Sequence, residues 1–184
     1  MTRDTAYQIL TKYLTNPNLL KHSLAAEVAM RALALRFGGD VDEWGITGLL
    51  HDADYEKSKG HPEKHGLFLF ELEPNTIPST IEYAIKSHNY EENHVMPQSV
   101  MDWAITCCDQ LTGLIVATTL IHPDKKLASI TVDFIMNRMK QKDFAKGAKR
   151  EPILLCEEKL GIPLPEFISI VLTAMQQIAP QLGL

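Results

Sequence analysis

Residues 48–64 read GLLHDADYEKSKGHPEK, and the reading of this stretch organises the rest of the chain. Leu49 and Leu50 close an apolar run, and His51, Asp52 and Asp54 follow at once. Ionisable groups in an apolar setting cost free energy unless they are paired. Their partners therefore have to lie elsewhere in the sequence. The run upstream, DEWGITGLLHDAD, has helical character and predicts a helix ending around Tyr55. SKG is a loop, and Pro62 suits the first position of a further helix reaching about Leu72.

Helical periodicity continues in both directions. Asp4 or Thr5 can cap a first helix that runs to about Leu14. LLKHSLAAEVAMRALALRF is rich in helix formers and stops at Gly38-Gly39, a usual C-terminal signal. Pro74 and Pro78 bracket a boundary before TIEYAIKSHN. Pro97 opens the longest apolar helix, QSVMDWAITCCDQLTGLIVATTLI, which ends before Pro123. Amphipathic segments follow over about 131–141, 152–160 and 165–181, with Pro152 and Pro165 at helix starts. Strand-like alternation, a fixed-period repeat and a low-complexity linker are all lacking. The pattern predicts one all-α domain, with a core over about 16–122 and a C-terminal helical cap over about 123–184.

Bulk properties narrow the function classes. The chain has 184 residues, 45% hydrophobic and 22% charged, enough to bury a core. The formal net charge is -5 with no block of like charges, which argues against non-specific nucleic-acid binding. Lys146, Lys149 and Arg150 form too small a basic group to change this. No run reads as a membrane span, and MTRDTAYQIL lacks the apolar segment of a signal peptide. Three cysteines, two of them adjacent, make a poor disulfide framework and fit a reducing cytoplasm. Cys107 and Cys108 read as small packing residues. The amphipathic segment 165–181 offers a face for a second copy, as in a homodimer.

Several metal-competent side chains sit in apolar helical contexts: His22, His51 with Asp52, His65, His88 and Asp109. Asp109 is the most informative. It lies inside AITCCDQLTGLIVA, and no Lys or Arg occurs between Lys86 and Lys125 to pair with it locally. A lone histidine on an apolar face is ordinarily a hydrogen-bonded structural residue, and Asp109 alone could cap a neighbouring helix. The joint pattern is more specific, and a metal ion answers it. Imidazole and carboxylate ligands together suit Mn, Fe, Co, Ni or Zn, with Mg less natural.

The order His22, His51-Asp52, Asp109 resembles the HD superfamily of metal-dependent phosphohydrolases. His65 and His88 look like the extra histidines of its two-metal members. The blocks LLKHSLAAEVAMRALA, GLLHDADYEK, PEKHG, IKSHN, DQLTGLIVA, HPDKKL and FAKGAKRE resemble a small bacterial HD-domain subgroup over nearly the whole chain. The resemblance implies an HD-type helical bundle. It implies hydrolysis of a phosphate ester, in a nucleotide or another small phosphorylated compound, by a metal-activated water. His22, His51, Asp52 and Asp109 would hold a first divalent ion. Asp52, His65 and His88 would hold a second, if there is one. His61, in the loop before Pro62, is the rival to His65, which is preferred because PEKHG matches and a helix would hold it firmly. His94 reads as exposed and His122 as a helix terminus.

Asp52 is central to catalysis on this reading, and Asp54 or Glu56 could relay a proton. Lys57, Lys86 and Asn89 are the candidates for contacting the substrate phosphate, while Lys59 reads as solvated surface. Tyr55, Tyr90 and Trp103 could stack on a base or belong to the core. Two features depart from the family. Some single-metal members place a catalytic Glu three residues after the Asp, where this chain has Tyr55. Two-metal members often have adjacent histidines, and here Asn89 follows His88. These departures keep a metal-binding regulatory module without turnover, and a di-iron HD-type oxygenase, as alternatives.

Overall fold

The computed structural model describes residues 1–141 and 143–184. Helix α1 (Arg3–Tyr13) starts from Thr2, whose hydroxyl accepts from the Thr5 amide, so the cap falls earlier than predicted. Helix α2 (Pro17–Phe37) is capped by Asn16 and ends at Gly38, which takes the left-handed conformation that closes a helix at low cost. Helix α3 (Val41–Leu50) is capped by Asp40. It stops at Leu50 rather than near Tyr55. The amides of Ala53, Tyr55 and Lys57 bond three residues back, so residues 51–57 form a string of tight turns.

The predicted helix over 62–72 is also interrupted. A short 3₁₀ turn (Pro62–Lys64) leads to His65 in an extended conformation, and Gly66 then takes φ 81°. Helix α4 (Phe68–Leu72) begins only after that kink. Helix α5 (Ser79–His88) ends at its last histidine and is followed by the single turn α6 (Tyr90–Asn93). Helix α7 (Val100–Ile121) starts with a capping box between Ser99 and Asp102. A 3₁₀ turn (Leu127–Ser129) precedes α8 (Val132–Met139), α9 (Arg150–Leu160), α10 (Leu164–Gln177) and α11 (Ala179–Leu182). The described residues contain no strand, and the fold is all-α as the sequence predicts.

Two apolar clusters hold the helices. The larger joins α2, α7, α8, α9 and α10 through Met30, Leu33, Leu111, Ile115, Ile153 and Phe167. The smaller joins α1, α3, α4 and α5 through Leu10, Leu49, Leu50, Leu69 and Ile85. Helices α2 and α3 cross at Gly48, where a Cβ would lie 2.5 Å from the Ala26 carbonyl oxygen. The C-terminal helices contribute to the larger cluster itself. The apolar face of α10 (Phe167, Ile168, Val171, Met175) is buried within the chain, on the side that packs on α2, α8 and α7. The face expected to meet a second copy is thus occupied internally.

Helix α7 is long and apolar enough to cross a membrane by length and composition, contrary to the reading that no run is. Its most apolar window is 61% buried inside the bundle, and this burial accounts for the composition. The thiols of Cys107, Cys108 and Cys156 are free and buried.

Candidate metal centre

Five elements deliver side chains to one place. His22 comes from α2, Asp109 from the middle of α7, and His88 from the end of α5. His51 and Asp52 open the turns after α3, and His65 lies on the kinked link before α4. His22, His51 and Asp52 offer ligand atoms within 4.8 Å of one another, and so do Asp52, His65 and His88. Asp52 belongs to both groups. Its Oδ1 lies 3.1 Å from His65 Nε2, 3.5 Å from His51 Nε2 and 3.8 Å from His88 Nε2, and its Oδ2 lies 3.4 Å from His22 Nε2. Asp109 Oδ1 is 2.8 Å from His22 Nε2 and 3.5 Å from His51 Nε2.

The outer ring nitrogens decide what the inner ones can do. His51 Nδ1 donates to the Gly48 carbonyl at 2.8 Å, and His88 Nδ1 to the Ile85 carbonyl at 2.5 Å. His65 Nδ1 donates to Asp54 Oδ1 at 2.9 Å. Each neutral ring so fixed turns a bare Nε2 lone pair inward. His65 and His88 then face each other Nε2 to Nε2 at 3.1 Å, and His22 and His51 at 3.3 Å. Lone pairs and carboxylates gathered in this way repel unless positive charge lies among them. Among the described residues, no Lys or Arg pairs with Asp52 or Asp109. A metal ion fits this donor set, and its identity is not fixed by it.

Protons can supply the same charge. Burial opposes protonation of His51, but Asp52 and Asp109 overcome it and raise its pKa to about 9. Burial likewise opposes His65, and Asp52 and Asp54 raise it to about 10. Burial and the nearby His65 and His51 push His88 down to about 4. Burial alone would raise both carboxylates. His51 and His65 instead hold Asp52 below the ordinary carboxylate range, and His22 and His51 do the same for Asp109.

The remaining predicted residues divide sharply. His61 is exposed and pairs with Glu63 at 3.3 Å, away from the cluster, which leaves His65 as the ligand candidate. His65 is held by the kink and by Asp54, not by a helix. Asp54 is buried, and it accepts from His65 Nδ1, from the Gly66 amide at 3.0 Å and from the Leu69 amide at 3.1 Å. It stands behind His65 and does not face the cavity, which does not suit a proton relay. Glu56 accepts from the Thr15 amide at 2.6 Å and from the Thr15 hydroxyl, so its carboxylate is committed to the α1–α2 link. Lys57 is exposed outside the cavity, and Lys86 pairs with Glu82 and covers the Phe70 ring. Asn89 donates to the carbonyls of Pro62 and His65, at 2.8 and 3.2 Å, and braces the His65 link.

A cavity of about 730 Å³ opens onto the cluster. His22, Asp52, His65, His88 and Asp109 line it, together with Tyr55, Asn89 and Tyr90. Tyr55 packs edge-on against His65. Trp103 packs on Tyr90 and stays outside the lining. Lys59, Gln110 and Lys149 also line it; the sequence reading set Lys59 aside as solvated surface and missed the other two. Gln110 carried a faint signal, being the residue after Asp109; Lys149 carried none that separates it from its basic neighbours. Comparison of this chain with family models, curated proteins and solved structures found no match, so the chemistry of the centre rests on its own residues.

Proposed function

We propose that the chain is a metal-dependent phosphohydrolase of the HD type, cleaving a phosphate ester in a nucleotide or another small phosphorylated compound. The observation that carries this is the convergence of four imidazole Nε2 atoms and two carboxylates beside an open cavity, with three rings locked from behind. His22, His51, Asp52 and Asp109 would hold one divalent ion, and Asp52, His65 and His88 a second. The second set is short of a full coordination shell and faces the cavity, as a site that engages substrate must. Four imidazoles favour a transition metal over Mg.

Divalent ions held there supply Lewis-acid charge for phosphoryl oxygens and a water of lowered pKa. The chain's own residues set the geometry. Asp52 joins the two ligand groups, Asp54 fixes the tautomer of His65, and Asn89 holds the His65 link in place. Two divalent ions would bring four positive charges against the carboxylates of Asp52, Asp54 and Asp109. The surplus suits an anionic ligand.

One observation favours a second reading. Glu56 is bound to Thr15, so the carboxylate best placed in sequence to relay a proton is engaged elsewhere. A metal-binding module without turnover is consistent with that. The deciding experiment measures metal identity and stoichiometry in the purified protein, then turnover of nucleotides, cyclic dinucleotides and sugar phosphates with Mn, Co, Ni, Zn or Mg. Ester hydrolysis, read as phosphate from monoesters and as the opened product from cyclic dinucleotides, that vanishes together with the metal in Asp52→Ala is the expected result. Full metal occupancy in Asp52→Ala overturns the ligand assignment. A loaded protein that cleaves none of these esters leaves the module, and a pair of irons with oxygen consumption leaves the oxygenase.

A further inference from the structure

The cavity wall most remote in sequence from the clustered histidines is formed by Ala145, Gly147, Ala148, Lys149 and Pro152. Arg150 shapes this segment, its guanidinium donating to the carbonyls of Phe144, Ala145 and Ala148. The segment is also tied to the metal centre. The Lys149 amide donates to Gln110 Oε1 at 2.9 Å, and Gln110 Nε2 donates to Asp109 Oδ2 at 2.7 Å. One carboxamide thus engages Asp109 Oδ2, leaves Oδ1 toward His22, and fixes where the Lys149 backbone stands.

Among the described residues, two lysines line the cavity, Lys59 and Lys149. Lys59 is exposed, in the SKG loop, and has no such tie to a ligand residue. Lys149 is anchored through its backbone amide, and the neighbouring Ala145, Gly147 and Ala148 that line the same wall are small. Its Nζ pairs with Glu91 Oε2 at 2.5 Å, both side chains being partly exposed. A pair of that kind is worth little in water. A phosphate oxygen is a strong competitor for the same ammonium.

We infer that Lys149 is the cation that receives the substrate's phosphate group beside the metal ligands, exchanging Glu91 for a phosphoryl oxygen. The inference rests on the phosphohydrolase reading and gives that site its anion-binding residue. It makes opposite predictions for the two partners of the ion pair. Lys149→Gln removes the receptor and weakens phosphate binding. Glu91→Gln removes the competitor and strengthens it. If the Lys149–Glu91 pair served only to brace the wall, both substitutions would act in the same direction.

The test titrates inorganic phosphate into the Mn-loaded full-length protein by calorimetry, with metal content measured on each sample. Lys149→Gln is expected to weaken binding about tenfold, the scale of one charge-assisted contact. Lys149→Arg, which keeps the charge, stays within about threefold of the wild type, and Glu91→Gln binds more tightly by a few-fold. Metal content is unchanged throughout. Equal phosphate affinity in the wild type and Lys149→Gln overturns the inference and leaves the phosphohydrolase reading standing. So does a Glu91→Gln protein weakened like Lys149→Gln, or a Lys149→Gln protein that has lost its metal. A loaded wild type that binds no phosphate removes both.

Discussion

Asp54 lies two residues after Asp52 and has a different task. Its carboxylate is buried behind His65, accepting from that ring and from two backbone amides. Asp54→Asn puts an amide nitrogen among those donors and loosens the His65 ring. Supporting residues of this kind typically contribute about 10–100-fold in metal affinity. If the proposed two-ion centre holds, the ion at Asp52, His65 and His88 should be lost selectively on dialysis, with the ion at His22, His51 and Asp109 retained, and metal analysis reads this directly. Simultaneous loss of both ions would show that Asp54 holds the fold instead. Glu56→Gln and Lys57→Gln should leave metal content and phosphate-ester turnover at wild-type levels, because Glu56 serves the α1–α2 link and Lys57 points to solvent. At this scale the sequence was a good guide to which side chains converge and a poor one to what their sequence neighbours do. Asp109 stood out because an apolar helix without local cations exposed its need for a partner. Glu56, Lys57 and Lys86 were nominated by nearness in sequence, but neighbouring side chains diverge in the tight turns at 51–57, and Lys86, two residues before His88 on α5, lies on a different helix face.

The crossing of α2 and α3 positions the centre, and Gly48 governs its spacing. A Cβ there would lie 2.5 Å from the Ala26 carbonyl oxygen and 2.9 Å from the Glu27 nitrogen, both backbone atoms that cannot rotate aside. Gly48 also presents the carbonyl that orients His51. Gly48→Ala should destabilise the fold by about 1–3 kcal/mol in chemical denaturation, as overpacking does. It should also weaken the ion held by His22 and His51 more than the one held by His65 and His88. An alanine variant with wild-type stability and metal content would refute that role for the crossing. The long helices were legible in the sequence because glycine and proline mark their ends: Gly38-Gly39 closes α2, and Pro97 and Pro123 bracket α7. The break at His65 was not. Leu67, Phe68, Phe70 and Leu72 keep an apolar pattern that a continuous helix would share. The left-handed Gly66 is demanded only by tertiary contacts, since a Cβ there would meet the Ile85 carbonyl and the His88 ring.

Across the whole molecule, the centre joins the two apolar clusters. His22 and Asp109 belong to helices of the larger one, while His51, Asp52, His65 and His88 extend from the smaller. A ligand that binds only the folded chain stabilises it by about 2.7 kcal/mol at a hundredfold excess over Kd, so chelation should lower Tm. Its pH dependence follows from competition between protons and metal for the same Nε2 atoms. In the metal-free protein His51 and His65 have pKa values raised to about 9 and 10, against 6.5 in an unfolded chain. A raised pKa stabilises the fold fully below 6.5, and that contribution is lost as pH climbs through 9 and 10. His88, held down to about 4, is neutral in the fold throughout this range, and its unfolded counterpart finishes deprotonating within about one unit above 6.5, so it adds a slope only at the start of the interval, equally with and without metal. The metal-loaded protein needs these rings deprotonated, so its metal-derived stability grows over the same interval. The Tm gap between loaded and chelated protein should therefore widen from pH 6.5 to 9 in thermal melts. Loading at pH 7 should also release protons, measurable as a binding enthalpy that changes with the ionisation heat of the buffer. A gap that stays constant or narrows with pH, or a buffer-independent enthalpy, would mean that the metal does not replace protons on His51 and His65.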